Sequence, residues 1–233
     1  MANVVVNQSF KPVIKRVGKE GTPVIIIDDF VTDTAEILAH ARQQSFTKDK
    51  SYYPGVRATL PKEYIVSILK NVCKGIQKIY KLPTHLKIKV APSYFSLIST
   101  PETDLELLQC IPHFDTPEPY YFAVLHYLSD GEHGGTGLFR HKITGFERIF
   151  EPKVAPYLTS TEDYINTHRK PDKKYPTSST DIFELYEEIA YKPNRLVIYP
   201  GNLLHSTIVN VFNDIDDNPR TGRLTANIFI DFK

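Results

Sequence analysis

Hydrophobic and polar positions give the chain two textures. In the first third, the β-branched run Val24-Ile25-Ile26-Ile27 stops at Asp28-Asp29, the pattern of a short buried strand. Beyond it Thr32 offers a helix cap, Asp33 and Glu36 put acids in a first turn, and Ile37, Leu38 and Ala41 recur at helical spacing. Pro61 suits the first turn of a second helix, whose apolar face is Ile65, Ile68, Leu69, Val72 and Ile76. From Leu86 onward the texture becomes strand-like. Runs rich in β-branched and aromatic residues over 86–99, 120–128, 136–141, 195–199, 203–212 and 223–232 are separated by turn residues. Residues 151–182 fit neither texture: several prolines and a Lys/Asp/Thr/Ser-rich middle over 170–180 read as an insertion or lid. With no internal repeat, the pattern predicts one α+β domain over 1–233. An N-terminal strand and helices over 1–85 would pack on a β-rich core over 86–233.

The 233 residues suffice for one sizeable hydrophobic core. Lysine and arginine total 28 against 27 acidic residues, so no global field draws the chain to nucleic acid or to an anionic membrane. A small molecule or a peptide is the expected partner. The two cysteines, Cys73 and Cys110, lack a second cysteine or histidine at zinc-site spacing and read as reduced, buried thiols. No basic leader with a long apolar stretch and no run of the ~20 apolar residues needed to span a bilayer is visible, so the cytoplasm is the expected compartment. P-loop, dinucleotide-binding and Gly-x-Ser-x-Gly signatures are absent from the sequence.

Three segments carry chemistry. In Ile111-Pro112-His113-Phe114-Asp115, residues two apart in an extended strand share a face, so His113 and Asp115 can grip one ion together. The strand Leu196-Val197-Ile198-Tyr199 runs into Pro200-Gly201-Asn202, and the next strand carries His205 just past that turn. Two histidines and a carboxylate on one face of a metal leave positions open, the arrangement of Fe(II) oxygenases. The bland reading of His205 is a core histidine hydrogen-bonded at a strand end. In the third segment Leu224, Ala226, Ile228 and Ile230 form an apolar face, leaving Arg223, Thr225 and Asn227 on the other. An inward arginine needs an anion; its planar fork suits a carboxylate, whose oxygens the Thr225 hydroxyl can share.

These residues resemble the Fe(II)/2-oxoglutarate-dependent dioxygenase superfamily, in which a His-x-Asp pair, a distal His and a basic anchor on a late strand follow in that order. Val124-Leu125-His126-Tyr127-Leu128-Ser129-Asp130 and Gly134-Gly135-Thr136-Gly137-Leu138-Phe139 resemble the prolyl-hydroxylase branch. More closely, the chain is similar to a bacterial family of unknown function within that superfamily. The resemblance implies a double-stranded β-helix, or jelly-roll, barrel with an N-terminal helical packing layer. It implies Fe(II) on His113, Asp115 and His205, 2-oxoglutarate as cosubstrate anchored at Arg223, and O2 as oxidant. It also implies an oxidoreductase, a hydroxylase in the first instance. Two features depart from the prolyl-hydroxylase pattern: the gap from His205 to Arg223 is long, with a polar loop over 213–222 to absorb it, and the connection from Asp115 to Tyr120 is short.

Through the same resemblance His126 and Tyr94 become candidate contacts of the cosubstrate, although Tyr94 equally suits a core position with a satisfied hydroxyl. His126, His133 and His141 form a rival metal set by sequence proximity, without a same-face carboxylate. Tyr52 to Arg57 combines aromatics, a turn and a cation, which suits either a substrate loop or a structural turn. Two other function classes stay open: a cupin-like metal protein or metalloenzyme that does not use 2-oxoglutarate, and a non-catalytic binding barrel. The first needs the three metal ligands but not a carboxylate site at Arg223.

Overall fold

The computed structural model describes residues 4–48 and 51–233. Its large antiparallel sheet runs β1(Val13–Val17), β2(Thr22–Ile27), β10(Leu196–Pro200), β7(Tyr121–Tyr127), β12(Thr225–Phe232), β6(Tyr94–Ile98), β4(Gly55–Thr59) and β3(Thr47–Lys48), with β5(Ile88–Val90) also paired to β12. A small antiparallel sheet runs β11(His205–Thr207), β8(Thr136–His141) and β9(Phe183–Ile189). An isolated bridge between His113 and His205 extends its β11 edge.

Period-two alternation sorts the side chains of the large sheet. Phe122 and Val124 of β7, Leu196 and Ile198 of β10, and Ala226, Ile228 and Ile230 of β12 join one core with the helices α1(Ala35–Ala41) and α2(Lys62–Ile79). Ala123, Leu125, Tyr127, Val197 and Tyr199 point the other way and meet Leu138, Ile189 and Leu203 between the sheets. Each fully buried Leu, Ile or Val contributes roughly 1.5–3 kcal/mol. The face of α2, with Ile68, Leu69, Val72 and Ile76 buried, is therefore ample to seat the helix.

Several expectations are amended. Asp33, not Thr32, tends the start of α1: its Oδ1 accepts from the Ala35 amide at 2.8 Å, while the Thr32 hydroxyl donates to the Val5 carbonyl. Where one strand is expected beside the helices of the first 85 residues, the sheet takes four: the expected β2, paired with β10, and β1, β3 and β4, the last paired with β6. Tyr52 to Arg57 is not a free loop, since Gly55 opens strand β4, which pairs with both β6 and β3. The irregular reading of 151–182 fails over its first half, where α3(Glu151–Thr167) forms. Pro152 lies in the first turn, which needs no N–H partner. Pro156 forfeits one bond, Tyr157 joins the cluster of Phe139, Ile149, Phe183 and Leu204, and the buried Thr161 hydroxyl donates to the Tyr157 carbonyl at 2.8 Å. Strand β9 has no counterpart among the expected strands; its glutamates at 184, 187 and 188 hide the apolar alternation. Cys73 and Cys110 are free and buried. Among the described residues no helix is long and apolar enough to cross a membrane.

Candidate metal centre

At the end of β10 the chain turns through Gly201 and Asn202 into β11, and the His113 segment crosses this turn. The His113 amide donates to the His205 carbonyl at 2.9 Å and the His205 amide to the His113 carbonyl at 2.8 Å. Their ring centroids stand 4.4 Å apart. Two residues on, the Asp115 amide donates to the Gly201 carbonyl at 2.7 Å. A Cβ on Gly201 would lie 2.6 Å from Tyr121 and 3.3 Å from the Asp115 carboxylate, so this crossing requires a residue without a side chain. Asp115 Oδ1 is consequently 4.0 Å from His113 Nε2 and 3.9 Å from His205 Nε2. One ligand atom from each residue lies within 4.8 Å of the others, and no second such group occurs among the described residues.

The donor chemistry suits a divalent ion. His205 is buried and its Nδ1 is 2.8 Å from the Leu203 carbonyl. That carbonyl can only accept, so Nδ1 carries the proton and the Nε2 lone pair faces the other two ligands. The His113 ring keeps 56% of its side-chain surface open. Desolvation, then the charges of His205 and Arg57, lower its pKa to about 3, which leaves a neutral imidazole. Desolvation raises the Asp115 pKa, while His205 and Arg57 act in the opposite direction. Small side-chain rotations would bring the donors to the ~2.1 Å typical of first-row metal bonds.

Arg223 enters from the residue pair before β12 and is 3% exposed. Its Nε donates to the Gly134 carbonyl at 2.7 Å and its Nη2 to the Gly135 carbonyl at 3.3 Å. Its guanidinium carbon lies 5.3 Å from the Tyr127 ring centre and 5.6 Å from that of Tyr191. One edge of the guanidinium is thus occupied, while both Nη1 N–H groups and one Nη2 N–H project from the other end. No carboxylate pairs with Arg223 among the described residues. The glycines are required here: a Cβ on Gly134 would lie 1.4 Å from the Ile208 carbonyl, and one on Gly135 2.1 Å from that of Ile189. The long loop before Arg223 is held by Asp214, whose Oδ2 accepts from the amides of Gly134 and Asn210.

Tyr199 links the two parts. Its ring meets the His205 ring edge-on at 4.9 Å, and the charges of Asp115 and Arg223 both act on its phenol. The phenol makes no hydrogen bond among the described residues, and burial holds its pKa well above the ordinary tyrosine value. Thr225 is engaged in the sheet: its hydroxyl donates to the Ser96 carbonyl at 3.4 Å and accepts from Asn227 Nδ2 at 3.0 Å. Tyr94 is half-buried beside the Arg57 guanidinium, 5.0 Å from ring centre to Cζ.

His126 lies elsewhere. It points into the helical layer, where Nδ1 bonds the Tyr64 hydroxyl at 2.7 Å and Nε2 the Asn194 Oδ1 at 3.1 Å. Both ring nitrogens are occupied, so His126 is not available to a cosubstrate on the inner face. Tyr127, its neighbour, takes the inner face beside Arg223, its hydroxyl 2.7 Å from Thr136 Oγ1. Sequence reasoning missed Tyr127 because β7 is apolar on both faces, which removes the cue that distinguishes inside from outside. The rival histidine set is also separated: His133 bonds Asp214 at 2.8 Å, and His141 bonds Thr144 at 2.8 Å. A cavity of about 380 Å³ lies away from the triad, beside Cys110, Tyr164, Tyr175 and Phe183.

The sequence profile of a family of unknown function, DUF6445, matches residues 8–230. The chain belongs to that family. No curated protein matches its sequence. Among solved structures, HygX from Streptomyces hygroscopicus with nickel and 2-oxoglutarate bound superposes with a TM-score of 0.53 at 10% identity, covering 91% of this chain and 84% of that one. HygX with nickel, 2-oxoglutarate and hygromycin B bound gives 0.52 at 10% identity, covering 93% and 87%. The non-heme alpha ketoglutarate dependent epimerase SnoN from nogalamycin biosynthesis is looser, at 0.45 and 13% identity, covering 89% and 78%. At these identities the HygX likeness establishes the fold. This DUF6445 chain shares the mostly antiparallel architecture on which HygX carries nickel and 2-oxoglutarate.

Proposed function

We propose that this protein is a non-haem Fe(II)- and 2-oxoglutarate-dependent oxygenase, a hydroxylase, acting in the cytoplasm on a small molecule or a peptide. The observation that carries the reading is Arg223: a buried cation with no carboxylate partner among the described residues, linked through Tyr199 to a His-Asp-His cluster. An uncompensated buried charge costs several kcal/mol, so a position of this kind calls for a bound anion. The strand order β6-β12-β7-β10 facing the His113 segment, β11, β8 and β9 supports a double-stranded β-helix. The Gly134-Gly135 crossing that holds Arg223 supports a place beside the prolyl hydroxylases.

His113 Nε2, Asp115 Oδ1 and His205 Nε2 would hold the iron on one face. When bound, iron and 2-oxoglutarate together supply the oxidising power, with O2 consumed and the cosubstrate converted to succinate and CO2. The protein's part is placement. The open end of Arg223 receives the far carboxylate of 2-oxoglutarate, and the phenol of Tyr199, kept protonated by burial, donates a hydrogen bond between anchor and metal. Val197, Leu125 and Leu203 keep the adjoining interior dry.

The test is an anaerobic titration of the protein with Fe(II) and then 2-oxoglutarate, monitored for the weak visible charge-transfer band of the chelate. The band should appear only with both. Tight metal binding without a band in the presence of 2-oxoglutarate would favour a metalloenzyme that does not use this cosubstrate.

A further inference from the structure

The helix that covers the outer face of the large sheet carries an unbalanced charge. Residues 62–89 hold seven lysines against one acid, Glu63, while the other residues hold 21 basic and 26 acidic side chains. The near-neutral total therefore conceals a local excess of positive charge. All seven lysines are exposed, and none is in an ion pair among the described residues. Lys70, Lys74 and Lys78 follow one another at four-residue intervals on α2, turned away from the buried Ile68, Val72 and Ile76, and Lys81 stands in the turn after the helix. Like charges at this spacing oppose one another and weaken a helix. The row thus costs the fold stability and calls for an anionic partner.

Apolar side chains accompany the lysines. Val66, one interval before Lys70, is 40% exposed, and Ile88 and Val90 of β5 are 40% and 44% exposed. In the β5–β12 register Ile88 lies opposite Phe232 and Val90 opposite Ile230, and both partners belong to the core that α2 covers. Paired residues share a face of the sheet, so the apolar pair and the lysine row lie on the same side. The metal cluster is on the other side, where Tyr199 meets His205.

Lysines interspersed with exposed apolar side chains suit a lipid surface, where ammonium groups meet anionic headgroups and apolar groups enter the interface. Nucleic acid calls for arginine forks on phosphates and aromatic rings on bases. Residues 62–89 contain no arginine, and their aromatic residues, Tyr64 and Tyr80, are buried and half-buried. The acidic excess in the other residues would orient an approaching molecule with this face towards an anionic surface.

We propose that the α2 face docks on an anionic phospholipid surface, with Lys70, Lys74 and Lys78 as its main contacts and Ile88 and Val90 at the interface. Docking on this side leaves the metal cluster turned away from the lipid. The inference does not depend on the oxygenase reading.

The experiment is vesicle flotation of the full chain with phosphatidylcholine alone and with equimolar phosphatidylcholine and phosphatidylglycerol. The protein should float with the anionic vesicles only, and roughly 0.5 M salt should release it. Lys70→Glu/Lys74→Glu/Lys78→Glu should weaken vesicle binding by at least about 30-fold, and Ile88→Ser/Val90→Ser by a smaller factor. Lys170→Glu/Lys173→Glu/Lys174→Glu, the same change of net charge in another segment, should leave it near parental. No flotation, equal flotation with phosphatidylcholine alone, parental binding in the α2 variant, or equal losses in the two triple variants would overturn the proposal. If the α2 variant failed to fold by circular dichroism, parental binding in Lys70→Gln/Lys74→Gln/Lys78→Gln would overturn it. Tighter binding of an RNA duplex than of anionic vesicles would assign the face to nucleic acid instead. Self-association without vesicle binding, abolished by the α2 substitutions, would assign it to a second copy of the chain.

Discussion

His113 and His205 face each other as a doubly hydrogen-bonded backbone pair, each amide donating to the other's carbonyl at 2.9 and 2.8 Å. Such pairing fixes the separation of two side chains more firmly than loop packing does. The third ligand atom, on Asp115, inherits its place from the same crossing through the Gly201 carbonyl.

The backbone pair therefore sets the spacing of the three ligand side chains. His113→Ala, Asp115→Ala and His205→Ala should each weaken Fe(II) binding by at least 100-fold, measured by anaerobic calorimetry. The His113 variant should keep the parental unfolding midpoint within a few degrees, because its ring is largely open. Parental iron affinity in each variant would exclude these residues as ligands.

Arg223→Lys should leave Fe(II) binding near parental and weaken 2-oxoglutarate by about 10- to 100-fold, the scale of one or two charge-assisted hydrogen bonds of ~1.5–3 kcal/mol. Lysine keeps the charge but lacks the fork that joins the glycine carbonyls on one side and a carboxylate on the other. Tyr199→Phe should cause a smaller loss and move the charge-transfer band. Equal 2-oxoglutarate affinity in Arg223→Lys and parent would remove the anchor role.

Gly134→Ala puts a methyl 1.4 Å from the Ile208 carbonyl and 3.0 Å from Asp214 Oδ2, so the backbone crossing must open. The expected cost is about 2–4 kcal/mol in chemical unfolding, within the range for overpacked sites. Because Gly134 supplies the carbonyl that holds Arg223 Nε, 2-oxoglutarate affinity should fall with stability. Gly145→Ala is a control for backbone strain without crowding: φ is +73° there and no atom lies within 4 Å of the new methyl.

Acid should destabilise the metal-free protein through His126 and His141, whose pKa values burial lowers to about 4. Their unfolded values lie near 6.5, so the unfolded chain binds more protons between pH 6.5 and 4. The stabilising contribution of the neutral rings is therefore full above pH 6.5 and is lost as pH falls towards 4. Urea unfolding of the apoprotein at pH 7, 5.5 and 4.5 should show this loss, and His126→Gln should make it shallower. A parental slope in that variant would dismiss His126 as a contributor.

Sequence alone determined what depends on near neighbours. Alternation in residues 223–230 separates Arg223, Thr225 and Asn227 from the apolar face, and β12 has that division. The His113 and Asp115 spacing, the turn before His205 and the Gly134-Gly135 pair are likewise local features. Tertiary structure decided what local pattern leaves degenerate. Strand β7 is buried on both faces, so period two says that His126 and Tyr127 point apart without saying which meets Arg223. The prolines of α3 read as breakers until Tyr157 and Thr161 find a core to bury against. Strand β4 joins the sheet beside β6, a pairing between distant segments that neither segment's own pattern encodes. The same holds for the metal centre: His113 and His205 are each unremarkable in their own strands, and only the long-range backbone pair brings their nitrogens onto one side of Asp115.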